Sequence, residues 1–224
     1  MTKKMLLILS LLMAAGMAAI GVAVASRAPA GLQLPVHWNI AGEADRYASK
    51  WTALMMAPGL TLLFAAFFWF LPELEPRERN LERSQGLYLS GWAALLIVMV
   101  AVEVVMLSAA LHWSLRVYGI ITGAVGLTFV LIGNQLGKSR RMYLVGIRTP
   151  WTLASEEVWI KTHRLGGKLM VAGGLLLILT AFAPIPSGLF ATLFAVAMVV
   201  MVGVPIVYSY WLWRREKRGA QASE

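Results

Sequence analysis

The chain has 224 residues, of which 59% are hydrophobic and only 14% charged, and its mean hydropathy of +0.70 lies outside the range of a soluble domain. It contains no cysteine, which excludes disulfides and thiolate chemistry. The formal charge of +9 sits between apolar runs rather than on one basic face, so direct nucleic-acid binding is not expected and an integral membrane protein is.

Apolar runs able to cross roughly 30 Å of hydrocarbon, about 20 helical residues each, lie near 5–25, 51–71, 87–111, 116–136, 168–185 and 188–212. The expected fold class is therefore all-α, a polytopic membrane protein with six transmembrane helices. It divides into an N-terminal membrane half, 1–111, with an extracytoplasmic loop at 26–50, and a C-terminal half, 112–224, with a cytoplasmic loop at 137–167. Placing both termini in the cytoplasm puts sixteen of the twenty Lys and Arg inside, leaving Arg27, Arg46, Lys50 and Arg116 outside. That is the bias the positive-inside rule requires.

The first run follows Lys3 and Lys4 and ends in "AVAS" at 23–26, which also has the form of a secretory signal. Its apolar stretch is longer than the roughly 7–15 residues of a signal core, so a retained helix is expected. The loop "LPVHWNIAGEADRYASKW" at 34–51 comes next. Trp38, Tyr47 and Trp51 suit the membrane interface, whereas His37, Trp38 and Asn39, a turn at Gly42, and Asp45 with Arg46 form compact clusters that imply a structured cap.

Glu103 lies inside the third run, on the order of 11 Å from its outer end by helical rise. An ionisable group at that depth is a candidate functional site, and a structural hydrogen bond between helices is the alternative. His37, His112 and Arg116 are its candidate partners on that side. Nothing fixes a metal-binding spacing among them, and neither metal nor cofactor is expected. In the fourth run Gly119/Gly123 and Gly133/Gly137, and in the fifth Gly166–Gly167 and Gly173–Gly174, have spacings that let helix backbones approach closely.

Between the fourth and fifth runs stands "VGIRTPWTLASEEVWIKTHRLGG", 145–167. Pro150 disfavours helix at Thr149. Ser155 before Glu156 and Glu157 has the form of an N-cap with an acidic first turn, and Glu157 and Lys161 stand four apart in the favourable order. Val158, Thr162, Leu165 and Leu169 share one line of that helix, and Glu157, Lys161 and Arg164 another. An interfacial helix feeding the fifth span is expected, with Gly166–Gly167 as a place to bend. A solvated polar loop accounts for the charge equally well.

The stretch "GNQLGKSRRMYLVGIRTPWTLASEEVWIKTHRLGGKL", 133–169, resembles the SdpI-type bacterial immunity protein family. The first half, with "PVHWNIAGEADRYASKW", is similar to the domain of unknown function that commonly precedes it. Arg141–Met142 stand where family members often carry Pro-Asn. The resemblance implies a multi-pass protein of the bacterial cytoplasmic (inner) membrane, in contact with its lipids, that protects the cell from a secreted peptide toxin. In the best-known system it also binds a cytoplasmic repressor protein.

On the outer side the candidate ligand- or partner-binding residues are then His37, Trp38, Asn39, Gly42, Asp45, Arg46, Glu103 and Arg116. On the inner side the candidates for a partner or a structural role are Asn134, Arg148, Thr149, Pro150, Trp151, Thr152, Glu156, Glu157, Trp159, Lys161, His163 and Arg164. A small transporter or channel is the alternative, though Glu103 is the one clear charge within the spans and a hydrophilic path usually shows more. A membrane enzyme is disfavoured: no nucleophile motif and no paired acidic metal motif is present.

Overall fold

A computed structural model describes residues 2–39 and 43–221. Eight helices and one hairpin follow in order: α1 Lys3–Arg27, β1 Gln33–Trp38, β2 Ala44–Ser49, α2 Lys50–Leu74, α3 Glu78–Arg83, α4 Gln85–Ala110, α5 Val117–Leu136, α6 Pro150–Ala154, α7 Glu156–Phe182 and α8 Ser187–Gln221. Six of them, α1, α2, α4, α5, α7 and α8, are long and apolar enough to cross a membrane. The six expected spans are all present, and α7 and α8 extend well beyond their apolar runs. α3 and α6 are short helices that the apolar pattern does not reveal.

The first four long helices pair as α1 with α2, α2 with α4 and α4 with α5, while α7 lies against α5 and α8 against α7. Two apolar cores result on the α1–α4 side. One, toward the α1 N-terminus, gathers Leu6, Ala65, Leu71, Tyr88, Trp92, Met142 and Trp159. The other, under the hairpin, gathers Ala25, Leu34, Leu54, Val105 and Met106. In the first, the buried indole of Trp92 donates to Ser10 Oγ at 3.0 Å, and Ser10 donates to the Leu6 carbonyl at 2.7 Å. Ser10→Ala would leave the indole N–H unsatisfied, so it is expected to cost about 1–3 kcal/mol in a denaturant titration at fixed detergent. An unchanged midpoint would show that the bond carries no stability.

The α5–α7 seam is set by glycine. A Cβ on Gly133 would lie 2.8 Å from the Gly167 carbonyl oxygen, and one on Gly174 would lie 2.5 Å from that of Gly126. The two backbones touch there because neither side carries a side chain. The small-residue expectation holds at Gly119, Gly133, Gly137, Gly167 and Gly174, with Gly126 as a further member, whereas Gly123, Gly166 and Gly173 face the side chains of Phe182, Ile147 and Met201. Gly166–Gly167 lie within one helix running from Glu156 to Phe182; Gly167 faces the Gly133 carbonyl across the seam, whereas Gly166 faces the Ile147 side chain.

The loop at 34–51 forms an antiparallel hairpin whose register slips between Pro35, His37 and Trp38. The expected structured cap is thus a two-stranded sheet added to the helical bundle. Gly42, expected to mark its turn, lies outside the described residues.

Candidate functional site

The candidate residues fall at the two ends of the bundle. At the hairpin end, His37 Nδ1 and Asp45 Oδ1 are 2.6 Å apart, both well exposed. Asn39 and Glu43 close the hairpin through Asn39 N–H to the Glu43 carbonyl (2.9 Å) and Glu43 N–H to Asn39 Oδ1 (3.0 Å). The Tyr118 hydroxyl donates to the Asn39 carbonyl at 3.2 Å, and Lys50 Nζ donates to that of Ala28 at 2.6 Å. These bonds tie the sheet to α5 and to the end of α1. Trp38 is half-buried against the core below, which makes it a foundation of the cap rather than a free surface. Arg46 pairs with His37 in the strand register and is exposed.

Beneath this cap lies Glu103, 3% exposed on α4. Neither of its carboxyl oxygens has a hydrogen-bond partner among the described residues. The basic groups that the sequence offers it are engaged or turned elsewhere. Arg116 is exposed and reaches the Ala183 carbonyl at 3.4 Å, His37 is paired with Asp45, and His112 stands exposed at the end of α4 with φ of 54°. The Glu103–Arg116 pairing considered from sequence is not formed, because the guanidinium caps the end of α7 instead. A buried carboxyl with four open acceptor positions is costly in an apolar bundle. It is the chief chemical irregularity of this end.

At the other end the segment 138–149 is folded inward. Glu75, which caps α2 and is 2% exposed, accepts three backbone N–H groups: those of Arg77 (3.1 Å), Tyr143 (3.0 Å) and Leu144 (2.7 Å). Arg140 N–H donates to Ser84 Oγ at 2.8 Å, and the Arg141 carbonyl accepts from Asn80 Nδ2 at 2.7 Å. Met142 is fully buried in the core.

His163 then joins this segment to α7. Its Nε2 accepts the Ile147 N–H at 2.8 Å, so its Nδ1 carries the proton that meets the Trp159 carbonyl at 2.8 Å. The ring stacks on Trp159 at 3.9 Å, and the Trp159 indole donates to Ser139 Oγ at 3.2 Å. Only glycine fits at 146: φ is +120°, and a Cβ would lie 2.7 Å from His163 Nε2 and 2.8 Å from the Trp159 ring.

Thr149 and Thr152 form a reciprocal capping box around Pro150, the first residue of α6, and the Thr149 hydroxyl lies 3.1 Å from Ser209 Oγ on α8. Thr149, Thr152, Trp159 and His163 are therefore core residues, not a solvated loop; their polar groups face one another, and this is where the solvated reading fails. Ser155 caps α7 as expected, accepting the Val158 N–H at 3.3 Å. Glu157 and Lys161 make the expected surface pair at 2.5 Å, and Glu156 lies 3.5 Å from Arg141 Nε.

Trp151 packs on Tyr210 with ring centroids 5.0 Å apart, and Arg148 reaches out to the Tyr143 carbonyl at 2.7 Å. Asn134 and Arg164 are exposed and take no part in the cluster. Sequence reasoning missed Glu75, Ser139, Gly146 and Ser209. The signal for Glu75 was an acid placed between Pro72 and Pro76, where a turn leaves N–H groups in need of an acceptor. Among the described residues no three His, Asp or Glu side chains converge to hold a metal ion.

The six apolar helices, the hairpin cap and the folded loop define a multi-pass membrane protein. Residues 138–209 match the SdpI/YfhL protein family, and residues 12–62 match a domain of unknown function (DUF1648). Both matches fall on the segments that carry the resemblance read from the sequence. The chain is similar to Immunity protein SdpI of Bacillus subtilis (strain 168), with 21% identity over 189 residues, which is 84% of this chain and 87% of that protein. No solved structure matches it.

Proposed function

We propose that this protein shields its cell from a secreted antimicrobial peptide, receiving the peptide at the hairpin end through His37, Asn39, Asp45 and Arg46 with Glu103 beneath. The observation that carries this reading is the buried Glu103 carboxyl, which has no partner among the described residues. It lies about 10 Å below the end of α4 by helical rise, under the one part of the bundle built as a cap. A cationic or hydrogen-bond-donating group of a peptide would complete it. The likeness to a relative named as an immunity protein supports the same reading.

The action is sequestration or a change of bundle conformation, not bond cleavage. The loop end, with the hollow of about 280 Å³ lined by Glu157, Lys161, Leu212, Arg215 and Glu216, is the surface on which a cytoplasmic repressor would dock. With the hairpin outside the cell, as the positive charges predict, the two surfaces face opposite compartments.

Toxin challenge of a sensitive cell tests this. Expression of the wild-type chain should raise the tolerated peptide concentration, and Glu103→Gln should remove most of that protection while the purified variant melts like wild type. Equal protection by Glu103→Gln, with equal melting, would take Glu103 out of the mechanism. A solute flux in proteoliposomes would instead favour a transporter.

A further inference from the structure

The loop end carries buried groups without a hydrogen-bond partner among the described residues: Arg77 Nη1, Arg141 Nε and Thr162 Oγ1. Arg77 follows α2 by three residues, and its guanidinium lies over the Tyr143 ring at 4.4 Å from the centroid. Its Nη2 donates to the Tyr143 hydroxyl at 3.1 Å, but its Nη1 is buried and has no acceptor among the described residues. Arg148 approaches the same residue, donating to the Tyr143 carbonyl at 2.7 Å. Glu75, the nearest buried acid in sequence, already accepts three backbone N–H groups. Neither guanidinium is in an ion pair among the described residues. A hollow of about 400 Å³, lined by Pro76, Arg77, Glu78, Arg79 and Asn80, opens beside Arg77.

The neighbouring face of α2 shows what would sit there. Leu63, Phe67, Phe70 and Leu74 are all exposed and repeat at intervals of four, three and four residues, which is one stripe of a helix. The stripe ends three residues before Arg77. It therefore presents an apolar track about 17 Å long by helical rise that leads to two arginines at the end of a membrane-spanning helix. An acyl chain along the track would place its headgroup at the guanidinium groups. Arginine forks match phosphate oxygens, and phosphate would give the idle Nη1 its acceptor.

We propose that Arg77 and Arg148, joined through Tyr143 at the foot of the α2 stripe, form a site for the phosphate of an anionic phospholipid. Such a lipid would brace α2 against the 138–149 segment, since one arginine belongs to each.

Native mass spectrometry of the full chain in neutral detergent tests this, with phosphatidylglycerol and phosphatidylcholine of identical acyl chains supplied in equal amounts. The wild type should retain phosphatidylglycerol in preference to phosphatidylcholine. Arg77→Ala should lower that retention about tenfold, the loss expected for a charge-assisted hydrogen bond, and Arg148→Ala should lower it as well. Arg27→Ala, which removes one positive charge at the hairpin end, should leave it unchanged.

Equal retention of the two lipids would overturn the proposal, as would retention unaffected by both Arg77→Ala and Arg148→Ala, or lowered equally by Arg27→Ala. Full displacement of the lipid by inorganic phosphate would also overturn it, because the affinity would then belong to the free anion. Should Arg77→Ala fail to fold, Arg148→Ala decides, since that exposed side chain gives up a single hydrogen bond.

Discussion

Glu75→Ala is expected to destabilise the loop end more than any other single polar substitution, by about 3–5 kcal/mol at one to three kcal/mol per stranded donor with some rescue by water. The carboxylate accepts the N–H groups of Arg77, Tyr143 and Leu144 from a position 2% exposed to solvent. Its removal strands all three at once. The segment 138–149 would lose its hold on α2, and with it the seat of Met142 in the apolar core.

Two measurements check this: the unfolding midpoint in a single detergent, and limited proteolysis, which should newly cleave within 138–149. Glu75→Gln keeps one acceptor oxygen but turns an amide NH2 toward the other donors, so it should fall between wild type and alanine. A wild-type midpoint for Glu75→Ala would show that water replaces the carboxylate without loss.

Gly174→Leu is expected to separate α5 from α7. The new Cβ would stand 2.5 Å from the Gly126 carbonyl oxygen and 3.0 Å from the Val130 backbone nitrogen. Those atoms belong to helix backbone and cannot swing aside as a side chain would. Overpacking of this kind costs about 1–3 kcal/mol, and more where the obstacle is rigid. Lipid supplies no hydrophobic drive to bring the helices back together, because separated helices are as well solvated by acyl chains as by each other.

Gly126→Leu meets the same seam from the opposite helix and should behave alike, and the two changes should not add. Gly16→Leu is the matched control, since nothing lies within 4 Å of a Cβ there. If Gly174→Leu expressed and melted like Gly16→Leu, the seam would not be the close contact described.

Under the function proposed above the stability of the loop end matters, because His163, Thr149 and Thr152 link segment 138–149 to α7 and α8. A partner bound at that end would be felt through a rigid network, not through a free loop.

What the sequence determined by itself was everything that depends on length and polarity. Six apolar runs became six long helices because a helix satisfies its own backbone wherever it lies. Ser155 capped α7 and Glu157 met Lys161 because those interactions span only three or four residues. The glycine spacing in the fourth and fifth runs marked places where helix backbones could approach closely, without saying which helices would meet there.

Tertiary structure alone decided the rest. It determined which donors Glu75 would satisfy, 68 and 69 residues away in the chain, and that His163 would turn inward onto Ile147 and Trp159. It left Glu103 without a partner among the described residues, because Arg116 turned to the end of α7 and His37 to Asp45. No periodicity encodes those choices: a buried polar group is defined by partners that only folding brings within 3 Å, and the free energy of its pairing exists only once water has been removed from both.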